Sequence, residues 1–266
     1  MQDKILSLPI VVEVIRIATN MYNLGYDERN GGNISVLLED SIKDYLPKEK
    51  IRSFSFDYDA SYLAGRYFLV TGTGKFFRNV QYFPSECLGI IRINEKGNGA
   101  DLYWGFSNGG APTSELPTHL MNHIERLKKD PKHRVVLHCH PTHTLAMTYV
   151  IPEDEDEITR TLWRMSTECI VVFPEGIGYL PWMLCGGKEI GEATAKKIKD
   201  YRLVIWGMHG VFATGESIDE AFGLLETVEK AATIYFLVKD NIKQTITNQD
   251  LIKLANAFKA NYKKIL

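Results

Sequence analysis

Two apolar runs, residues 87–93 and 101–106, flank the turn-forming segment Asn94-Glu-Lys-Gly-Asn-Gly99. A chain satisfies that pattern by folding back on itself as an antiparallel hairpin. Further strands are expected at 34–38, 67–70, 134–140, 168–173 and 203–206, interleaved with helices. The first helix spans residues 7–24, with Pro9 near its start and Gly25 past its end, the usual asymmetry of helix termini. Others begin at Ser114, at Thr142 (to 150), near 156–165 and near 189–200. The last starts at Ser217, where Ser217-x-x-Glu220 forms a capping box and Ile218, Ala221, Phe222, Leu225, Ala232 and Phe236 recur at helical spacing. Hairpins with helices on both sides predict an α/β fold, a three-layer αβα sandwich on a mainly antiparallel central sheet.

The length, 266 residues at 45% hydrophobic content, suits a substantial core. No repeat, linker or composition break divides it, so one domain over residues 1–266 is expected. The charge run Glu153-Asp-Glu-Asp-Glu157 reads as a solvated helix entry. A net charge of −2 and a pI near 6.4 give no general surface for nucleic acid or membrane. No run approaches a membrane span and the start of the chain is amphipathic, so a cytoplasmic protein is expected. Cys87, Cys139, Cys169 and Cys185 lack Cys-x-x-Cys spacing and read as reduced, mostly buried thiols.

Chemistry concentrates in Arg134-Val-Val-Leu-His-Cys-His140, because a strand points every second side chain out of one face and so presents His138 and His140 together. His209 follows a second apolar run. Two strand ends therefore deliver three imidazole nitrogens to one point, a donor set for a catalytic metal with an open position. His-x-His spacing names a metal more securely than a reaction. A cupin would place a carboxylate at Thr144, and a carbonic-anhydrase reading leaves the loops described below without a purpose. His119 and His123, four apart on a helix, lack the glutamate and third ligand of a zincin; with His133 and His143 they have local structural readings.

Three segments suit an anionic substrate. Asn30-Gly-Gly-Asn33 joins a helix to a strand, its glycines opening the backbone amides and its carboxamides offering donors; as an ordinary tight turn it needs no ligand. Thr71-Gly-Thr-Gly-Lys75 ends a strand. Leu69 stands where a Walker loop needs its first glycine and Phe77 where a dinucleotide fingerprint needs its third, which leaves a small phosphorylated substrate open. Pro112-Thr-Ser-Glu-Leu116 sets hydroxyls and a carboxylate at a helix start, where exposed amides favour anions. Glu115 there either complements the helix dipole or serves as a general base.

These motifs occur together with Gly74-Lys-Phe-Phe-Arg-Asn-Val80, Ser166-Thr-Glu-Cys169, Val172-Phe-Pro174, Leu180-Pro-Trp-Met183 and His209-Gly-Val-Phe212. In this order, across roughly residues 7–255, the chain resembles the class II zinc-dependent sugar-phosphate aldolases of the aldolase/adducin family. The resemblance implies one Zn2+ per subunit on His138, His140 and His209, and Glu115 as the proton-transferring carboxylate. It further implies that Asn30, Gly31, Asn33, Thr73, Thr113 and Ser114 surround the phosphate of a phosphorylated ketose. Relatives carry serine at position 73, so the methyl of Thr73 is a departure at that contact. Glu168 matches a carboxylate lent to a neighbouring subunit, which implies a homotetramer with active sites near subunit interfaces. The implied reaction is reversible retro-aldol cleavage to dihydroxyacetone phosphate and an aldehyde, without a Schiff-base lysine. A fuculose-phosphate aldolase or a pentulose-phosphate 4-epimerase of the same family, an adducin-like interaction module and a zinc hydrolase are the alternatives; the three histidines retained with Glu115 count against the module, and the phosphate loops against the hydrolase.

Overall fold

The computed structural model describes residues 4–266, and within them nine strands form one sheet. They are β1 (Asn33–Leu37), β2 (Arg52–Ser55), β3 (Tyr67–Thr71), β4 (Leu88–Ile93), β5 (Gly99–Gly105), β6 (Val135–Cys139), β7 (Gly178–Leu180), β8 (Leu203–Trp206) and β9 (Gly210–Gly215), in the order β2-β5-β4-β3-β1-β6-β9-β8-β7. Every neighbouring pair is antiparallel except β7–β8. The predicted hairpin is β4–β5, turning through 94–98.

Period-2 alternation decides which helix meets which face. On β6, Val135, Leu137 and Cys139 share a core with the helices Pro9–Asn23 and Ile218–Val238. Val136 faces the other way, toward the helix Lys188–Ile198, and farther along that face Phe68 and Val70 of β3 meet Leu116 and Leu120 of the helix Leu116–Lys129. The sheet is thus covered on both sides, the three-layer α/β arrangement expected from the pattern. His138 extends the second face.

One expectation fails: residues 168–173 form no strand but the short helix Cys169–Val172. Val171 and Val172 N–H both donate to the Glu168 carbonyl, at 3.1 and 2.8 Å. Cys169, Ile170 and Phe173 are buried in the core that includes the helix Glu155–Met165, so the apolar run hides its side chains without joining a sheet edge. A four-residue apolar run satisfies either geometry. The helix expected over 142–150 stops earlier, as Thr142–Met147. Strands β2, β7 and β9 and the helix Asn248–Ala257, capped by the Thr247 hydroxyl, were not anticipated. Cys87, Cys139 and Cys169 are buried, Cys185 is exposed, and all four are free thiols. Among the described residues no helix is long and apolar enough to cross a membrane.

Candidate active site

The β8–β9 turn carries His209, and β9 pairs antiparallel with β6, so the turn falls beside the end of β6 that carries His138 and His140. The three rings form a nearly equilateral triangle, with centroid separations of 5.1, 5.2 and 5.1 Å. His138 is fully buried, stacked on Phe212 at 4.4 Å. Its Nδ1–H donates to the Val211 carbonyl at 2.8 Å, and the His140 Nδ1–H donates to the Glu28 carboxylate at 2.9 Å. Those partners only accept, so they hold a proton on each Nδ1 and leave each Nε2 as the nitrogen available to a ligand.

The two Nε2 atoms face each other across 3.3 Å. Either a shared proton or a metal cation between them satisfies that approach. Tetrahedral bonds of about 2.0–2.1 Å would set ligand nitrogens about 3.3–3.4 Å apart, so the donor set fits zinc. One nitrogen from each of the three histidines lies within 4.8 Å of the others. Burial drives the His138 imidazole well below its ordinary pKa and that of His209 down to about 4, with the neighbouring rings adding to both shifts. Neutral donors are what a metal requires. Glycine is needed nearby for space: a Cβ at Gly31 would sit 2.9 Å from His140 Cε1, and one at Gly210 only 2.6 Å from His140 Cδ2.

Glu115 occupies the N-cap position of the helix Leu116–Lys129 without making a capping bond. Its side chain instead accepts a hydrogen bond from Asn33 Nδ2 at 2.9 Å and lies 3.4 Å from His138 Nε2. Burial raises its pKa above the ordinary carboxylate value, against the opposing effects of the Asn33 amide and His140. The strand register sets Asn33 directly opposite His138. Backbone bonds from Thr73 N–H to Ala111 and from Thr113 N–H to Thr71, each 2.9 Å, bind the loop after β3 to the segment before Glu115.

Asn30, Gly31, Asn33, Thr73, Thr113 and Ser114 consequently line one cavity of about 160 Å³ with Glu115, His138, His140 and His209. Glu168 lies outside it, exposed and hydrogen-bonded to the Ser166 hydroxyl. Glu28 was missed as the group orienting His140, although it lies inside Asp27-Glu-Arg-Asn30; in sequence it read only as part of a polar loop. Cys185, also missed, comes within metal-sharing distance of Glu115 and His209. His119 and His123 bind no common point with the triad and are buried against Ser35.

The chain belongs to the class II aldolase and adducin N-terminal domain family, whose model matches residues 12–236. It is 50% identical to a rhamnulose-1-phosphate aldolase of Listeria monocytogenes serotype 4a, over 99% of this chain and 98% of that one. A rhamnulose-1-phosphate aldolase of Enterococcus faecalis is also 50% identical, over 96% of this chain and 92% of its own. Among solved structures, a sugar-phosphate aldolase from Thermotoga maritima superposes with a TM-score of 0.76 at 28% identity, covering 88% of this chain and 97% of that one.

Proposed function

We propose that this class II aldolase reversibly cleaves L-rhamnulose 1-phosphate to dihydroxyacetone phosphate and L-lactaldehyde. The observation that carries the reading is a buried carboxylate 3.4 Å from one ring of a three-histidine triangle, in a cavity bordered by amide and hydroxyl donors. His138, His140 and His209 would hold one zinc ion per subunit, which when bound supplies Lewis acidity toward the ketose carbonyl.

Asn30, the Gly31 backbone, Thr73, Thr113 and Ser114 take the phosphate, with Asn33 at the boundary between that anion and Glu115. As the C3–C4 bond breaks, its electron pair passes to C3, and the C4 hydroxyl becomes the aldehyde by giving its proton to the neighbouring subunit's Glu168. The Glu115 carboxyl delivers a proton to C3. In the synthetic direction its carboxylate removes the C3 proton of dihydroxyacetone phosphate. A burial-raised pKa suits a group that must both give and take that proton.

Glu168, exposed and outside its own chain's cavity, is assigned to proton traffic at the aldehyde oxygen in a neighbouring subunit. The assembly is read as a cytoplasmic homotetramer of single-domain chains, residues 1–266, with active sites near the interfaces. Exposed Trp182 and Leu184, at 64% and 79%, give apolar surface for such contacts.

Turnover of zinc-loaded protein on L-rhamnulose 1-phosphate, L-fuculose 1-phosphate and a ribulose phosphate tests the assignment. A kcat/KM at least about tenfold higher on the first supports it, since each tenfold is about 1.4 kcal/mol of discrimination. Preference for another ketose, or epimerisation without cleavage, would reject it.

A further inference from the structure

Behind the cavity wall lies a buried ladder that the proposed chemistry does not use. Asn33 and Ser35 are two apart on β1, and Glu115, His119 and His123 are four apart along one helix face. Two strand residues rise about 6.7 Å and four helical residues about 6 Å, so the two elements present polar groups in step. Asn33 Nδ2 donates to Glu115 Oε2 at 2.9 Å, and Asn33 Oδ1 meets His119 Nε2. His119 Nδ1 lies 2.7 Å from Ser35 Oγ, which lies 2.8 Å from His123 Nε2. Ser35 and His119 are wholly buried, and His123 is 1% exposed.

An ionised carboxylate only accepts, and this sets every direction in the ladder. The Asn33 amide nitrogen must face Glu115, so its oxygen accepts from His119 Nε2–H. His119 Nδ1 then accepts the Ser35 hydroxyl proton, and Ser35 accepts from His123 Nε2–H. Each ring is a neutral single tautomer. Burial, which pushes the pKa of His119 down to about 3 and that of His123 far below its ordinary value, agrees with that assignment.

We propose that His119 is a positioning residue: with Ser35 and His123 behind it, it locks the Asn33 carboxamide in the orientation that holds Glu115 beside His138. The inference rests on the reading of Glu115 as the proton-transfer group. It extends the role of Asn33, whose second amide hydrogen is still free to meet the substrate. The anchoring is needed because Glu115 makes no capping bond with its own helix, and an unanchored carboxylate would sample several rotamers.

The test isolates the proton step by following exchange of the C3 proton of dihydroxyacetone phosphate with D2O by NMR, without aldehyde, on zinc-loaded protein. His119→Phe keeps a ring against Phe212 but removes both hydrogen bonds, and should slow exchange by about 10–100-fold, the scale of a misplaced catalytic group. Zinc content should change by less than about twofold, and the loss in exchange turnover should exceed any rise in KM, because Asn33 also meets the substrate. His119→Gln, whose amide nitrogen lies the same number of bonds from Cβ as Nε2, should restore most of the rate. Should His119→Phe not fold, Ser35→Ala reports instead, with a smaller loss in the same parameter. Exchange at the parental rate in these variants, when Glu115→Gln abolishes it, would overturn the positioning role alone. A raised KM with unchanged exchange turnover, or a lower melting temperature with neither affected, would also overturn it. Exchange that survives Glu115→Gln would instead remove the reading of Glu115, and the positioning role with it.

Discussion

Gly210, the first residue of β9, follows His209 with backbone geometry outside the left-handed region, so Gly210→Ala acts through space and not through φ. An alanine Cβ would lie 2.5 Å from the Cys139 carbonyl oxygen, 2.6 Å from His140 Cδ2 and 3.1 Å from His138 Cε1. Real Cβ contacts essentially never fall below 3.0 Å, so the first two neighbours must open by about half an ångström. The carbonyl belongs to β6, whose ladder to β9 resists the shift, and the displacement therefore falls mainly on the imidazole rings. Overpacking of this kind costs about 1–3 kcal/mol. Displacing a ligand ring through its surroundings costs about 10–100-fold in metal affinity. Competition with a chromophoric chelator measures the affinity, and urea unfolding of the metal-free protein measures the stability. Zinc affinity within about twofold of the parent, about 0.4 kcal/mol, would refute the claim that these rings are held in a ligating arrangement by a glycine-sized gap.

Glu115→Gln should retain zinc while kcat falls by about 10²–10⁴; turnover near the parental value would remove Glu115 from proton transfer. Glu229 accepts from the His143 N–H and Nδ1–H at 3.0 and 2.8 Å and from the Thr144 N–H and hydroxyl at 2.8 and 2.7 Å. Glu229→Ala strands the two buried Thr144 donors, at about 1–3 kcal/mol each, so urea unfolding should show a loss of about 2–6 kcal/mol; less than 1 kcal/mol would contradict the role of Glu229 as the clamp on the helix that follows His140. His119 titrates near 3 in the folded chain against 6.5 for an unperturbed imidazole, so below pH 6.5 the unfolded chain binds the extra proton. This group therefore costs the folded state stability progressively as pH falls from 6.5 toward 3. His119→Phe abolishes that cost, and the stability difference between parent and variant should shift in the variant's favour by up to about 1.4 kcal/mol per pH unit between pH 6.5 and 5. A difference independent of pH would show that His119 is not buried as a neutral ring.

The second face of the sheet and the histidine pair were legible because both depend on period 2: alternation places His138 and His140 together and turns Cys139 into the core. The capping box at Ser217 is present as read, its hydroxyl accepting from Glu220 N–H at 3.1 Å. The segment 168–173 differs from the strand its composition predicts because a short apolar run carries no period, and packing against the helix Glu155–Met165 selects a helical turn. β2 and β7 escaped notice because an exposed, alternating edge strand and a three-residue parallel strand have almost no local pattern. Of the site, the residue types were readable but their partners were not. That Asn33 reaches Glu115, that Glu28 orients His140, and that His119 backs Asn33 all depend on contacts 82–112 residues apart in sequence.

The central claim, that the three histidines hold the zinc of an aldolase, is tested most directly by stripping the protein with a chelator, verifying metal removal, and titrating zinc back while dihydroxyacetone phosphate release from L-rhamnulose 1-phosphate is followed. Release should vanish on stripping and rise linearly to the parental rate at one zinc per chain, with no recovery in His209→Ala at the same zinc concentration. Undiminished cleavage by protein shown to be metal-free, or full recovery in His209→Ala, would contradict it.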